Sequence, residues 1–378
     1  MSAVDTEGGR TGVLAALAGL DLMTIPRLRA LLAGHDPAEA LAVAAGQARP
    51  GALVADLVGG SVGQAWRASA ARRDPLEWAR RCRGLGIRAV VEGDDDFPVP
   101  LRLDPDPPGV LFVRGELGVL DARRVGVVGT RNATGAGREL ATALGHDLAE
   151  AGVVVVSGLA KGIDGAAHRG VLRAAGAAPV GVVGNGLDRP YPRVNAELWS
   201  AVAGRGALLS EWPPGAPPEP FRFPLRNRII AGLSEVLVVV ESRERGGSLI
   251  TAMAAIERDV DVMAVPGSPH SRASVGTNQL LRDGAAPVTD AGDVLVALGL
   301  DHRRCGSAPF DPRPRPRGVE EDVLACVREG PRPLDAVVEA LRIPLPAAAM
   351  AVARLERSGW VREADGWFEA VGPWGVQP

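Results

Sequence analysis

In the string PFRFPLRNRIIAGLS (220–234), Phe221 and Phe223 alternate with Arg222, and Arg226, Asn227 and Arg228 follow before an apolar run, in a chain with only 6 Phe. Rings stack on unpaired bases while guanidinium groups pair with phosphates, so this interleaving suits a single strand of nucleic acid. Each stacked base would contribute roughly 1–3 kcal/mol. Arginines also serve structure, and one of Arg226 and Arg228 is expected in an ion pair with an acid such as Glu211 or Glu241.

Other strings carry small residues and donors at the ends of apolar runs. VGVVGTRNATGAGREL (125–140) reads as a strand, a Gly-rich turn and a helix, where backbone N–H groups can receive a phosphate; Gly129 and Arg131 sit in that turn. VVVVSGLAKGIDGAAH (153–168) places Lys161, the only lysine in the chain, in a second such loop as a point charge for phosphate. Asp164 and His168 at i and i+4 could form an acid/base pair, but no nucleophile or second carboxylate accompanies them. A helix cap and a packed histidine are the simpler reading. GVVGNGLDRPYPRVNAEL (181–198) offers Asn185 as a donor to base or phosphate, and its Tyr191, between two prolines, reads as a packing anchor. In VLVVVESRERGGSLITAMAA (236–255), Gly247, Ser248 and Thr251 form a further phosphate-type turn, and AVPGSPHSRASVGTNQLLRDGA (264–285) adds another loop of this kind.

Several classes of chemistry are disfavoured. The G-x-G-x-x-G spacing is absent and the second strand ends in Ser157 instead of an acid, so a bound dinucleotide is not expected; neither is a triphosphate, since G-x-x-x-x-G-K-[ST] is missing. Cys82, Cys305 and Cys326 are far apart and odd in number, which supports neither disulfides nor a zinc site. No cofactor or metal is expected. The formal charge of -3 gives no global attraction for nucleic acid, so any such site must be a local patch.

The elements that must hold these loops follow from periodicity. Short Val-rich runs at 125–128, 153–156, 180–183, 236–240 and 262–265 alternate with helical stretches, which predicts an α/β core over 124–300: a doubly wound, Rossmann-like parallel sheet buried on both faces. Ligands on such a sheet bind at the carboxyl ends of the strands, where all these loops fall. Residues 1–83 show helical spacing and predict a small helical domain, with 84–123 a compact connector containing two strand-like runs, 87–91 and 110–113. The Pro- and Arg-rich 301–317 reads as a linker, and 318–378, ending in two alternating runs around Asp365-Gly366, as a winged-helix-like module. No secretory signal or membrane-length apolar run is present, so the cytosol is the expected compartment and no membrane insertion is expected.

Taken together, the ordered strings between residues 125 and 285, above all SGLAKGID, GLDRPYP, RNRIIAGLS and GSLIT, resemble the bacterial DNA-processing protein A (DprA/Smf) family. The resemblance implies a non-catalytic core that binds single-stranded DNA in a basic pocket and forms a homodimer. It also implies loading of RecA with displacement of single-strand-binding protein, in natural transformation and recombination. Arg131, Lys161, Phe223 and the Arg226-Asn227-Arg228 run are the pocket residues it points to. A rival is a phosphoribohydrolase of the lysine-decarboxylase-like type. That chemistry depends on P-G-G-x-G-T-x-x-E, and neither RGGSLITAM nor SVGTNQLL supplies its Glu.

Overall fold

A computed structural model describes residues 3–300 and 313–371. Contacts divide the chain into two compact units, 1–303 and 304–378.

The first unit is organised by one nine-stranded sheet. Its strands are β1 (Ile87–Val90), β2 (Leu111–Gly115), β3 (Arg124–Val128), β4 (Val154–Ser157), β5 (Val180–Val182), β6 (Ala207–Ser210), β7 (Val236–Val239), β8 (Asp261–Ala264) and β9 (Ala286–Pro287). The spatial order is β1-β2-β6-β5-β4-β3-β7-β8-β9. From β6 to β9 every neighbour is parallel, as the Val-rich runs and intervening helices require. Strand order runs outward from β3 in both directions, so the topological switch lies between β3 and β7, paired in register from Val125↔Val236 to Val128↔Val239. Here loops leaving the two strands diverge to opposite faces and open a crevice at their carboxyl ends.

The two strands of the expected connector do more than link. β2 pairs antiparallel with β6 and β1 with β2, extending the sheet beyond its parallel part. Six helices precede them: Ala3–Ala18, Ile25–Leu32, Pro37–Ala44, Ala55–Gly59, Ser61–Ala70 and Pro75–Leu85. Three of them start from side-chain caps, Thr24, Asp36 and Asp74, with proline in the first turn, whose missing N–H costs nothing there. Leu14, Leu17, Trp66 and Cys82 of these helices share one hydrophobic cluster with Ala89, Phe112, Leu187 and Trp199. The expected boundaries at 83/84 and 123/124 therefore fall inside one compact unit. Cys82 is buried and free, and burial pushes its thiol up to about 11, which keeps it protonated.

The second unit holds helices Val319–Arg328, Leu334–Leu341 and Leu345–Arg357 and a three-stranded antiparallel sheet, β10 (Arg332–Pro333), β11 (Val361–Ala364) and β12 (Trp367–Ala370), in the order β10-β12-β11. The hairpin turns at Asp365-Gly366, both at positive φ (51° and 80°), the conformation a two-residue turn demands. Cys326 is buried and free there, while Cys305 and most of the expected linker lie outside the described residues. Among the described residues no single helix is long and apolar enough to cross a membrane.

Candidate functional site

A cleft of about 500 Å³ opens at the switch point, and every segment lining it follows the carboxyl end of a strand. Val128 ends β3 and Gly129–Asn132 follow it, Ala160 and Asp164 follow β4, and Tyr191 follows β5. Pro218 to Ile230 contribute after β6, and Arg243 to Thr251 after β7.

One wall carries stacked planar groups. Tyr191 and Phe223 are 5.6 Å apart between ring centroids and inclined by 29°, and the Arg131 guanidinium carbon lies 5.0 Å from the Phe223 centroid. Tyr191 is 41% exposed. The packing role expected for it is therefore replaced by a place on the cleft wall, because the turn that carries it stands off the sheet and meets Phe223 instead of the core.

The helix Arg222–Leu233 sorts the arginines of PFRFPLRNRIIAGLS. It begins already at Arg222, so Arg226 and Arg228 stand about 200° apart around its axis. Arg226 lines the cleft, although only 4% exposed, and its guanidinium donates to the carbonyl of Val182. Burial lowers its pKa to about 10, with the Asp164 carboxylate acting against that shift, so it stays charged at neutral pH. Gly158 makes room for this pair: a side chain there would collide with both the Arg226 guanidinium and the Asp164 carboxylate. Arg228 points away from the cleft, donating to Glu211 (2.6 Å) and Asp106 (2.7 Å). It is thus the structural member of the pair, as an ion pair with Glu211 was expected to require. Asn227 lines the cleft and donates to the Gly247 carbonyl at 3.3 Å.

The other expected residues divide in the same way. Gly129, Arg131, Gly247, Ser248 and Thr251 line the cleft. Ser248 is held by the hydroxyl of Ser242 at 2.9 Å and Thr251 by the Gly247 carbonyl at 3.4 Å. Lys161 is exposed on the next loop and does not line the cleft. Its neighbour Gly162, at φ 78°, brings that loop against the Thr130 and Arg131 backbone, where any side chain would clash. Asn185 does not line the cleft: it is 1% exposed, with its amide donating to the carbonyls of Gly186 and Arg189. It is a loop brace.

Two local expectations shift for physical reasons. The helix Gly135–Glu150, expected to offer its N-terminus to a phosphate, is already capped. Glu241 accepts from the Thr134 N–H (3.0 Å) and hydroxyl (2.5 Å), and Thr134 accepts from Gly137 N–H (3.0 Å). A protein carboxylate occupies the place of the expected anion. Asp164 does not cap its own helix either, since it accepts from Gly158 N–H at 3.1 Å and folds the preceding loop back. Burial raises the pKa of Asp164, opposed by Arg226, and lowers that of the fully buried His168 to about 4. The histidine is a neutral packed side chain, as its simpler reading had it.

The cleft also holds Arg243 and Arg245, both exposed, which the sequence reading passes over. Their string ESRERGGSLIT is read for its glycines and hydroxyls, yet two arginines in a strand-end loop are themselves a signal on this fold. Asn195 is a second omission: it donates to the carbonyls of Leu159 (3.0 Å) and Ala160 (3.1 Å), fixing the loop before Lys161.

An open α/β sheet whose switch-point cleft is lined by arginines and a stacked pair of rings, one of them exposed, defines a ligand-binding protein of the nucleotide-fold class. A family model for DNA recombination-mediator protein A matches residues 88–299. Protein Smf of Escherichia coli (strain K12) is 35% identical over 286 residues, which are 74% of this chain and 76% of that protein. DNA processing protein DprA of Bacillus subtilis (strain 168) is 41% identical over 217 residues, 57% of this chain and 73% of that one. Among solved structures, DNA processing protein A from Streptococcus pneumoniae superimposes with a TM-score of 0.63 at 32% identity, covering 78% of this chain and 98% of its own. DNA processing protein A from Helicobacter pylori, described for its single-stranded DNA binding mode, gives a TM-score of 0.51 at 27% identity, covering 56% and 95%. The chain belongs to the DNA recombination-mediator protein A family.

Proposed function

We propose that the switch-point cleft binds single-stranded DNA and that the protein acts as a recombination mediator without catalysing a reaction of its own. The observation that carries this reading is the Tyr191–Phe223–Arg131 stack beside the buried cation Arg226. The exposed Tyr191 ring, extended by the half-buried Phe223 and by Arg131, suits unpaired bases, which duplex DNA does not offer. Arg131, Arg226, Arg243 and Arg245 supply the phosphate contacts in a chain whose overall charge is -3. The non-catalytic reading is supported by the engagement of Asp164 with the Gly158 amide and by the depth of His168, which leave neither poised for proton transfer in the cleft. The DNA-binding mode described for the Helicobacter pylori relative agrees with the reading. RecA loading with displacement of single-strand-binding protein, a homodimer, a cytosolic setting and a winged-helix role for the second unit complete it as expectations from the family.

Fluorescence anisotropy with labelled oligo-dT tests the cleft. Phe223→Ala is expected to weaken binding by about 1–3 kcal/mol per lost stack. Arg131→Ala is expected to weaken it and to reduce the slope of log K against log salt by about 0.7, the share of one single-strand phosphate. Undiminished affinity in both folded variants would remove the cleft from the DNA path.

A further inference from the structure

A second arginine-lined cavity of about 280 Å³ lies among the N-terminal helices, outside the span matched by the family model. Arg72, Arg73, Arg81 and Trp78 line it together with Asp21, Ser69 and Glu77, and a further carboxylate, Asp188, pairs with Arg81 from outside the lining. Arg72 is paired with Asp21 at 2.9 Å and Arg81 with Asp188 at 2.7 Å. Arg73 differs. Its Nε donates to the Ser69 hydroxyl at 3.3 Å, and among the described residues no carboxylate forms an ion pair with it. Burial lowers its pKa, with Asp21 acting against that shift, which marks a partly desolvated cation short of a counter-charge. Trp78 orders the group, since the Arg73 and Arg81 guanidinium carbons lie 5.6 and 5.1 Å from its ring centroid. Two arginines held against a ring are pre-organised, so less rotamer entropy is lost when an anion arrives.

The cavity adjoins the cleft through one short segment. Asp188, which receives Arg81, also accepts from Gly215 N–H at 2.6 Å, and Tyr191 on the cleft wall is only three positions further along the chain. Three residues of chain span at most about 11 Å. We propose that single-stranded DNA leaving the cleft past Tyr191 continues onto the N-terminal helices, where Arg73, with Arg72 and Arg81, binds its phosphate backbone. This extension rests on the cleft reading and gives the helical segment a part in binding.

The test uses the full chain and two oligo-dT probes, one of about 6 nucleotides that fills the cleft alone and one of about 20 that reaches both sites. In Arg72→Gln/Arg73→Gln, affinity for the long probe is expected to fall about tenfold, with a salt slope shallower by about 1.4 for two lost phosphate contacts, while the short probe binds as in wild type. A long probe carrying photoreactive thymidines is expected to crosslink wild-type protein within residues 69–81. Unchanged long-probe affinity in the folded variant, with crosslinks confined to the cleft loops, would overturn the extension and leave the cleft standing, as it would if the cavity served a protein partner. Failure of wild type to bind either probe would sink the cleft reading itself.

Discussion

Arg226 and Arg228 are two positions apart in one string, yet one lines the switch-point cleft and the other pairs with a buried acid. Residue type alone does not separate them; the helical phase does, and that phase depends on a helix starting at Arg222. The same dependence on depth governs His168. Its ring is fully buried, and burial takes its pKa from the usual 6.5 to about 4. The unfolded chain therefore gains a proton near pH 6.5 that the folded chain refuses until about pH 4. Stability from this residue is full above pH 6.5 and is lost as pH falls toward 4, by up to about 3 kcal/mol. Glu211 runs the other way, because burial pushes it up to about 7 and its protonation in the folded state favours folding as pH falls. The comparison must therefore be differential: chemical denaturation of His168→Gln is expected to show a smaller loss between pH 7 and pH 4.5 than wild type, and an identical loss would refute the assignment. At this scale the sequence exposes residues whose position in a string is unusual. Phe223, between arginines, and Arg131, at a strand end, stand out, and Tyr191 is visible as the single tyrosine but reads as a packing anchor. Arg243 and Arg245 do not stand out, since surface arginines have ordinary explanations until a neighbouring loop is seen beside them.

Among the elements, the helix Arg222–Leu233 has the most demanding placement, because the cleft needs Phe223, Arg226 and Asn227 on one side of it. Its opposite side is fixed by charge. Arg228 joins Glu211, only 5% exposed, to Asp106, which in turn receives Arg29 from the N-terminal helices at 2.7 Å. The adjacent Asp104 binds Arg258 with two bonds of 2.7 and 3.0 Å. The Asp- and Pro-rich segment before β2 is thus a clamp on two helices. Arg228→Ala would leave the Glu211 carboxyl buried without its partner, a loss of about 3–5 kcal/mol. Arg228→Met/Glu211→Leu removes both charges and is expected to recover most of it, as urea midpoints of the two variants would show. Recovery absent in the double variant would mean that Arg228 acts through Asp106 alone. The strands themselves are legible, because continuous valine runs have no other economical reading between helices. The sheet's antiparallel margin is not, since whether β1 and β2 join it depends on pairing with β6, whose ALLS run is too short to announce a strand. The cap on the helix Gly135–Glu150 is hidden for a similar reason, as Glu241 arrives from 107 residues away.

At the scale of the whole molecule, the two compact units predict how binding is divided. All the cleft loops and the helices behind them lie within 1–303. The second unit contributes its own small core around Val323, Val337, Leu355 and Trp360, which a separately folding module requires. Its residues 304–378 contain 10 Arg and 11 Asp and Glu, a net charge of -1, so it brings no excess of positive charge to attract phosphates. A chain ending at residue 303 is therefore expected to bind oligo-dT within about threefold of full length and with the same salt slope, since no phosphate contact is removed. Anisotropy across a salt series decides this directly. A drop of tenfold or more with a shallower slope would show that the second unit contributes phosphate contacts despite its charge, through the few arginines its helices and hairpin present. Equal affinity and slope would leave single-stranded DNA to the sheet edge around Arg131 and Arg226.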